Sequence, residues 1–125
     1  MLKTRFSALT GAAVLVLAVA FSPAVLAHAH LKSQYPAANA NVEASPQALT
    51  LTFSEDIEPA FSHVEIIGAD QQTMPTAEVE CAPKQHNQLI VPLEKPLAGG
   101  SYQVNWHVLS VDGHKTKGSY TFSVK

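Results

Sequence analysis

The chain has 125 residues, eight basic and ten acidic side chains and only 14% charged residues, so its charge gives nucleic acid nothing to hold. A single cysteine, Cys81, excludes an intramolecular disulfide. The length suits one domain.

In chain order, the first element is an export signal. Lys3 and Arg5 form a basic head, an apolar run extends from Ala8 to Phe21, and Val25-x-Ala27 is a small-residue exit. The run is shorter than the roughly 20 residues a membrane-spanning helix needs, which favours a cleaved secretory signal peptide over residues 1–27 rather than an anchor. A cut after Ala27 makes His28 the first residue of a 98-residue mature domain, 28–125. A second cut, after Ala29, would leave His30 first. An N-terminal histidine carries two metal-binding nitrogens, its amine and its ring, so proteolysis itself would create half of a copper site.

The mature part keeps six lysines against all ten acids, a net charge of minus four with histidines neutral. It reads as strands of period two. Leu49, Leu51 and Phe53 alternate with threonines and Ser54. Tyr102, Val104, Trp106 and Val108 alternate with Gln103, Asn105 and His107, and Tyr120, Phe122 and Val124 alternate with Thr121 and Ser123. Shorter candidates are Leu31 to Tyr35, His63 to Ile67, Met74 to Val79 and Gln88 to Val91. Turn chemistry separates them at Tyr35-Pro36, Ser45-Pro46, Glu58-Pro59, Gly68 to Asp70, Ala82-Pro83 and Pro96 to Gly100. About seven short strands with no long helical stripe predict an all-β fold, a seven-stranded Greek-key β-sandwich or barrel with Trp106 in its core. No repeat, low-complexity tract or second domain boundary follows Ala27.

All six histidines lie in the mature region. Ser110-Val111-Asp112-Gly113-His114 connects the two long C-terminal strands at one end of the sandwich. Asp112 and His114, two apart in extended chain, would project to one side roughly 6.5–7 Å apart, a span two side chains close onto one ion. The alternative is an Asx turn beside an incidental histidine. Glu55, in Ser54-Glu55-Asp56-Ile57-Glu58-Pro59, is the carboxylate best placed to face inward where Pro59 stops pairing; a solvated turn is the alternative. His63, His86 and His107 read as surface residues. Cys81 is open to three readings: a small buried hydrophobe, a redox handle or a soft metal ligand.

Together these blocks resemble the CopC-type periplasmic copper-binding proteins, and within them the YobA-like group. The resemblance rests on His28-Ala29-His30-Leu31-Lys32, Tyr35-Pro36-Ala37, Leu51-Thr52-Phe53-Ser54-Glu55, Tyr102-x-Val104-x-Trp106, Ser110-x-Asp112-Gly113-His114 and Gly118-x-Tyr120-Thr121-Phe122. It implies a cupredoxin-like or immunoglobulin-like β-barrel in the periplasm that holds one Cu(II). The implied ligands are His28 through amine and ring, with Asp112 and His114. Glu55 lies close by in some members, and His30 stands where the family has a further histidine. Two-site members carry a methionine-rich loop for Cu(I). Here the mature chain offers only Met74 and Cys81 as sulfurs, which points to Cu(II) alone; a loose soft site of Met74, Cys81 and His86 is the alternative.

The function implied is a monomeric copper carrier or buffer without catalysis, acting in copper homeostasis and resistance, and passing its ion to a CopD-type inner-membrane transporter. Nitrogen-rich N,O coordination suits Cu(II), which outranks nickel and zinc for the same ligands. Capture needs a neutral imidazole and a deprotonated amine, groups of ordinary pKa about 6.5 and about 7.7–8.0, so it releases protons. Two rivals stand beside this reading. One is an N-terminal-histidine copper oxidase, for which the chain offers no aromatic platform; the other is a metal-free immunoglobulin-like interaction module. Within the copper reading, His28-Ala29-His30 also fits a local chelate of free amine, third-position histidine and two deprotonated amides.

Overall fold

A computed structural model of the protein describes residues 29–125; the signal segment and His28 lie outside the described residues. Nine strands follow in order: β1 Leu31–Tyr35, β2 Asn41–Val42, β3 Ala48–Phe53, β4 His63–Gly68, β5 Thr73–Met74, β6 Glu80–Ala82, β7 Gln85–Pro92, β8 Gly100–Leu109 and β9 Lys115–Val124. They form a four-stranded sheet, β1-β3-β7-β6, packed on a five-stranded sheet, β2-β9-β8-β4-β5.

Alternation decides which side chains meet between the sheets. Leu49, Leu51 and Phe53 of β3, with Leu89 and Val91 of β7, are fully buried from one sheet; Val64, Ile66, Val104, Trp106, Val108, Tyr120, Phe122 and Val124 close the core from the other. Strands β3, β4, β8 and the second half of β9 thereby put every second residue in the interior. The Trp106 ring meets Phe53 edge-to-face, with centroids 5.2 Å apart at 75°, a favourable arrangement of the two ring quadrupoles.

Seven strands were expected and nine are present among the described residues, and each difference has a local cause. β2 is two residues long and pairs parallel with the end of β9, too short to show any alternation. Thr73–Met74 does pair, with Ile66 and Ile67, but the expected strand stops there because Pro75 has no N–H for the ladder. Beyond it only Thr76 bridges, to Leu93. β6 hides beside a turn: Ala82 pairs with Gln85 across Pro83-Lys84, and Cys81 with Leu89.

The element that positions the site is the hairpin of β8 and β9. Its register runs without a slip from Gly100 opposite Val124 to Leu109 opposite Lys115. Trp106 faces Gly118 in this register, and a Cβ at 118 would lie 2.5 Å from Trp106 Cζ2 and 2.8 Å from Cε2. Glycine at 118 is therefore what allows the indole to lie across the neighbouring strand.

Candidate metal centre

The loop that closes this hairpin, 110–114, is a tight turn and not extended chain. Ser110 N–H donates to the His114 carbonyl at 2.9 Å, and Gly113 N–H donates to the Ser110 carbonyl at 2.9 Å. Gly113 has φ of +92°, a conformation other residues resist. The backbone is therefore turned where extended chain was expected, and the side chains meet: Asp112 Oδ1 and His114 Nδ1 are 3.1 Å apart. That is the length of a hydrogen bond. It is also close to the separation of two adjacent ligands at right angles around a metal with bonds of roughly 2.0–2.1 Å.

The Asx turn weighed as an alternative is present as well, since His114 N–H donates to Asp112 Oδ1 at 3.3 Å. The turn and the close Asp112–His114 contact thus coexist. A residue the sequence reading assigned no role, Ser110, completes the arrangement. It is fully buried, and its hydroxyl donates a very short hydrogen bond to Asp112 Oδ1 while accepting from His114 N–H at 3.3 Å. A small hydroxyl residue at a strand end, two before an aspartate, was the available signal. Chiefly through this Ser110 bond, with help from the His114 ring and backbone and from Glu55, Asp112 is held down to about 2 against a smaller opposing desolvation. At neutral pH it is a carboxylate, the form a cation needs.

Glu55 reaches the same place from the other sheet. The segment after β3 is stitched to the hairpin end by backbone bonds. Glu58 N–H donates to the Leu109 carbonyl at 2.9 Å, Val111 N–H to the Asp56 carbonyl at 3.0 Å, and Ile57 bridges Ser110. Glu55 is half-buried, and its side chain hydrogen-bonds that of Asp112. Two carboxylates in contact share a proton or a cation. Asp56 and Glu58 are exposed.

The start of the described chain runs between these two elements. Ala29 is buried, and its carbonyl accepts from Thr116 Oγ1 at 3.1 Å, two residues beyond His114. His30 N–H donates to Ser54 Oγ at 2.8 Å, and Ser54 N–H returns a bond to the His30 carbonyl at 2.8 Å, one residue before Glu55. The His30 amide is thus taken by a side-chain hydroxyl, and β1 begins at Leu31 as expected. The His30 side chain is exposed. Among the described residues, no group of three or more His, Cys, Asp or Glu side chains is arranged to hold a metal.

The remaining candidates stand apart from this centre. His63, His86 and His107 are exposed. Cys81 Sγ lies 3.5 Å from the carbonyls of Ile57 and His86, and burial, reinforced by Asp56 and Glu58, pushes its thiol pKa up. A thiol kept protonated is a poor metal ligand. Met74 lies in the other sheet, against the core.

The CopC domain model matches residues 31–125, nearly the whole of the described chain. The protein belongs to the CopC family. It is 56% identical over 104 residues to Protein YobA of Escherichia coli K12, covering 83% of this chain and 84% of that one. Among solved structures it resembles CopC from Methylosinus trichosporium OB3b, with a TM-score of 0.73 and 33% identity over 78% of this chain and 94% of that chain. It also resembles PcoC, a methionine-rich copper resistance protein from Escherichia coli, with a TM-score of 0.69 and 33% identity over 78% of this chain and 99% of that chain. The family assignment and the two-sheet β-sandwich thus agree with the sequence reading.

Proposed function

We propose that the protein is a periplasmic copper carrier that holds one Cu(II) ion between its mature N-terminus and the hairpin loop. The ligands are the amine and ring of His28, the Asp112 carboxylate and the His114 imidazole, with Glu55 as the neighbouring carboxylate. The observation that carries this reading is the Asp112–His114 pair, 3.1 Å apart beside a chain start anchored to Thr116 and Ser54. The loop alone supplies two donors. Cleavage after Ala27 would add two nitrogens at the point where the chain enters between Glu55 and His114.

The donor set suits Cu(II): nitrogen-rich, with hard carboxylate oxygen and no converging sulfur. His30 is the weaker candidate ligand. The local chelate that would use its ring must deprotonate the His30 amide, which already donates to Ser54. In this reading the protein is a monomer without catalysis. It serves copper homeostasis and resistance by buffering the ion or passing it to a CopD-type inner-membrane transporter.

The test is a competition titration of the mature protein, residues 28–125, against a Cu(II) chelator. One extra residue ahead of His28 should lower affinity by at least about 100-fold, more than the 10–100-fold typical of outer-shell losses. Unchanged affinity in that variant would refute the amine ligand.

A further inference from the structure

The outer face of the five-stranded sheet carries a second pair of histidines that the loop site does not use. His63 of β4 and His107 of β8 are direct register partners on adjacent antiparallel strands. Their chain neighbours Val64, Trp106 and Val108 are buried, so alternation puts both imidazoles on the solvent side, where both are exposed. Directly opposed residues have Cβ atoms about 4.5–5.5 Å apart. From there two rings can bring a nitrogen each to one ion at roughly 2.0–2.1 Å without moving the backbone. Neither ring makes a hydrogen bond or ion pair with another described residue.

We propose that His63 and His107 form a second, weaker divalent-metal site, selective for borderline ions such as Cu(II) and Zn(II), that fills once the loop site is occupied. Selectivity follows from ligand type: a pair of neutral imidazoles suits copper, nickel and zinc, and offers little to magnesium or calcium. Rigidity favours it. β4 pairs with β8 at six consecutive positions and β8 with β9 at ten, so the two Cα positions are fixed before any metal arrives. The surrounding charge is mixed. Lys117 stands opposite His107 on its other side and Lys115 diagonal to it, and both oppose a cation; Glu65, on the same face two residues along from His63 and diagonal to His107, favours one. With two protein donors and water completing the shell, the site must be the weaker of the two.

The site is separate from the loop centre. His107 lies three residues before Ser110 on an extended strand, which separates the two by about 10 Å along the chain. A protein holding a second ion there at high copper would buffer beyond one equivalent.

The test is a Cu(II) titration of the mature protein, followed by paramagnetic broadening of the histidine ring resonances. The first equivalent should broaden His114 beyond detection and His63 and His107 only partly, through space; the second should broaden those two beyond detection together. His63→Ala and His107→Ala should each weaken the second equivalent by at least about tenfold, or 1.4 kcal/mol, and leave the first unchanged. In an Asp112→Asn, His114→Ala double variant, His63 and His107 should broaden with the first equivalent. Broadening of only one of the two rings, or a second equivalent that binds both single variants as it binds the parent, would overturn the site. A first equivalent that persists in the double variant away from His63 and His107 would instead count against the loop reading, so the two failures are distinguishable.

Discussion

Two pairs on one hairpin do opposite work. Trp106 and Gly118 face each other in mid-strand, buried and packed so closely that no Cβ fits at 118. Asp112 and His114 face each other at the tip, exposed and held by a hydroxyl beneath them. The first pair is core packing; the second is an exposed carboxylate–imidazole contact with almost no buried surface, and the proposed site takes its donors from it. The difference teaches that the strand register fixes where the hairpin ends, while the turn at Gly113 and the Ser110 hydroxyl set how Asp112 and His114 meet.

The comparison breaks most visibly in the core. Trp106→Ala removes a large ring from between Phe53 and Gly118 and should cost about 3–5 kcal/mol in urea unfolding. Gly118→Ala should cost about 1–3 kcal/mol by overpacking against the indole. Where either variant remains folded, Cu(II) affinity should stay within a few-fold of the parent. A large loss of affinity in a fully folded Gly118→Ala would mean the two pairs are not separable.

The converse is His114→Ala. Affinity for Cu(II) should fall by at least about 100-fold, or 2.7 kcal/mol, while unfolding stability changes by no more than about 0.5 kcal/mol because the residue is exposed. Asp112→Ala should lose less, since imidazole is the stronger Cu(II) donor. Parallel chelator competition and urea curves check both statements.

Ser110 belongs to both regions and sharpens the line between them. It is fully buried, yet its hydroxyl holds Asp112. Ser110→Ala should reduce copper affinity by about tenfold, the lower end of outer-shell effects, and cost about 1 kcal/mol of stability. An effect on stability alone would make Ser110 part of the scaffold and not of the site.

The smallest effect concerns acid. Asp112 is held down to about 2 in the folded protein, first by Ser110 and then by His114 and Glu55. A carboxyl lowered on folding adds stability that is fully present above its unfolded value, about 3.9, and is lost as pH falls through the folded value. The stability difference between the parent and Asp112→Asn should therefore be constant above about pH 5 and shrink between about pH 4 and 2. Thermal unfolding across that window measures it.

How far the sequence foretold this arrangement depended on periodicity. The alternations Leu49–Phe53, Tyr102–Val108 and Tyr120–Val124 announced the strands that form the core, because burial on one face writes a period of two into the chain. β2 and β6 left no such mark. Two or three residues cannot show a period, and their pairing is decided by distant partners. Asp112 and His114 were visible as a pair, but the backbone between them turns at Gly113, at positive φ, where extended chain was expected. The proximity of Glu55 to Asp112 was implied only by the family resemblance and left no local signal, since it arises where two sheets are stitched together through Glu58, Leu109, Asp56 and Val111. Ser54 and Thr116, which hold the chain start, carried no signal beyond being small hydroxyl residues on strand borders.

Electron paramagnetic resonance of the one-to-one Cu(II) complex of residues 28–125, with hyperfine couplings resolved to nitrogen, tests the central claim most directly. The account predicts two imidazole nitrogens, one amine nitrogen and a carboxylate oxygen, a spectrum that changes in His114→Ala and is nearly unaltered in His30→Ala. Couplings from deprotonated backbone amides that persist in an Asp112→Ala, His114→Ala double variant would contradict it, and would make the fold a bystander to a copper-binding tail.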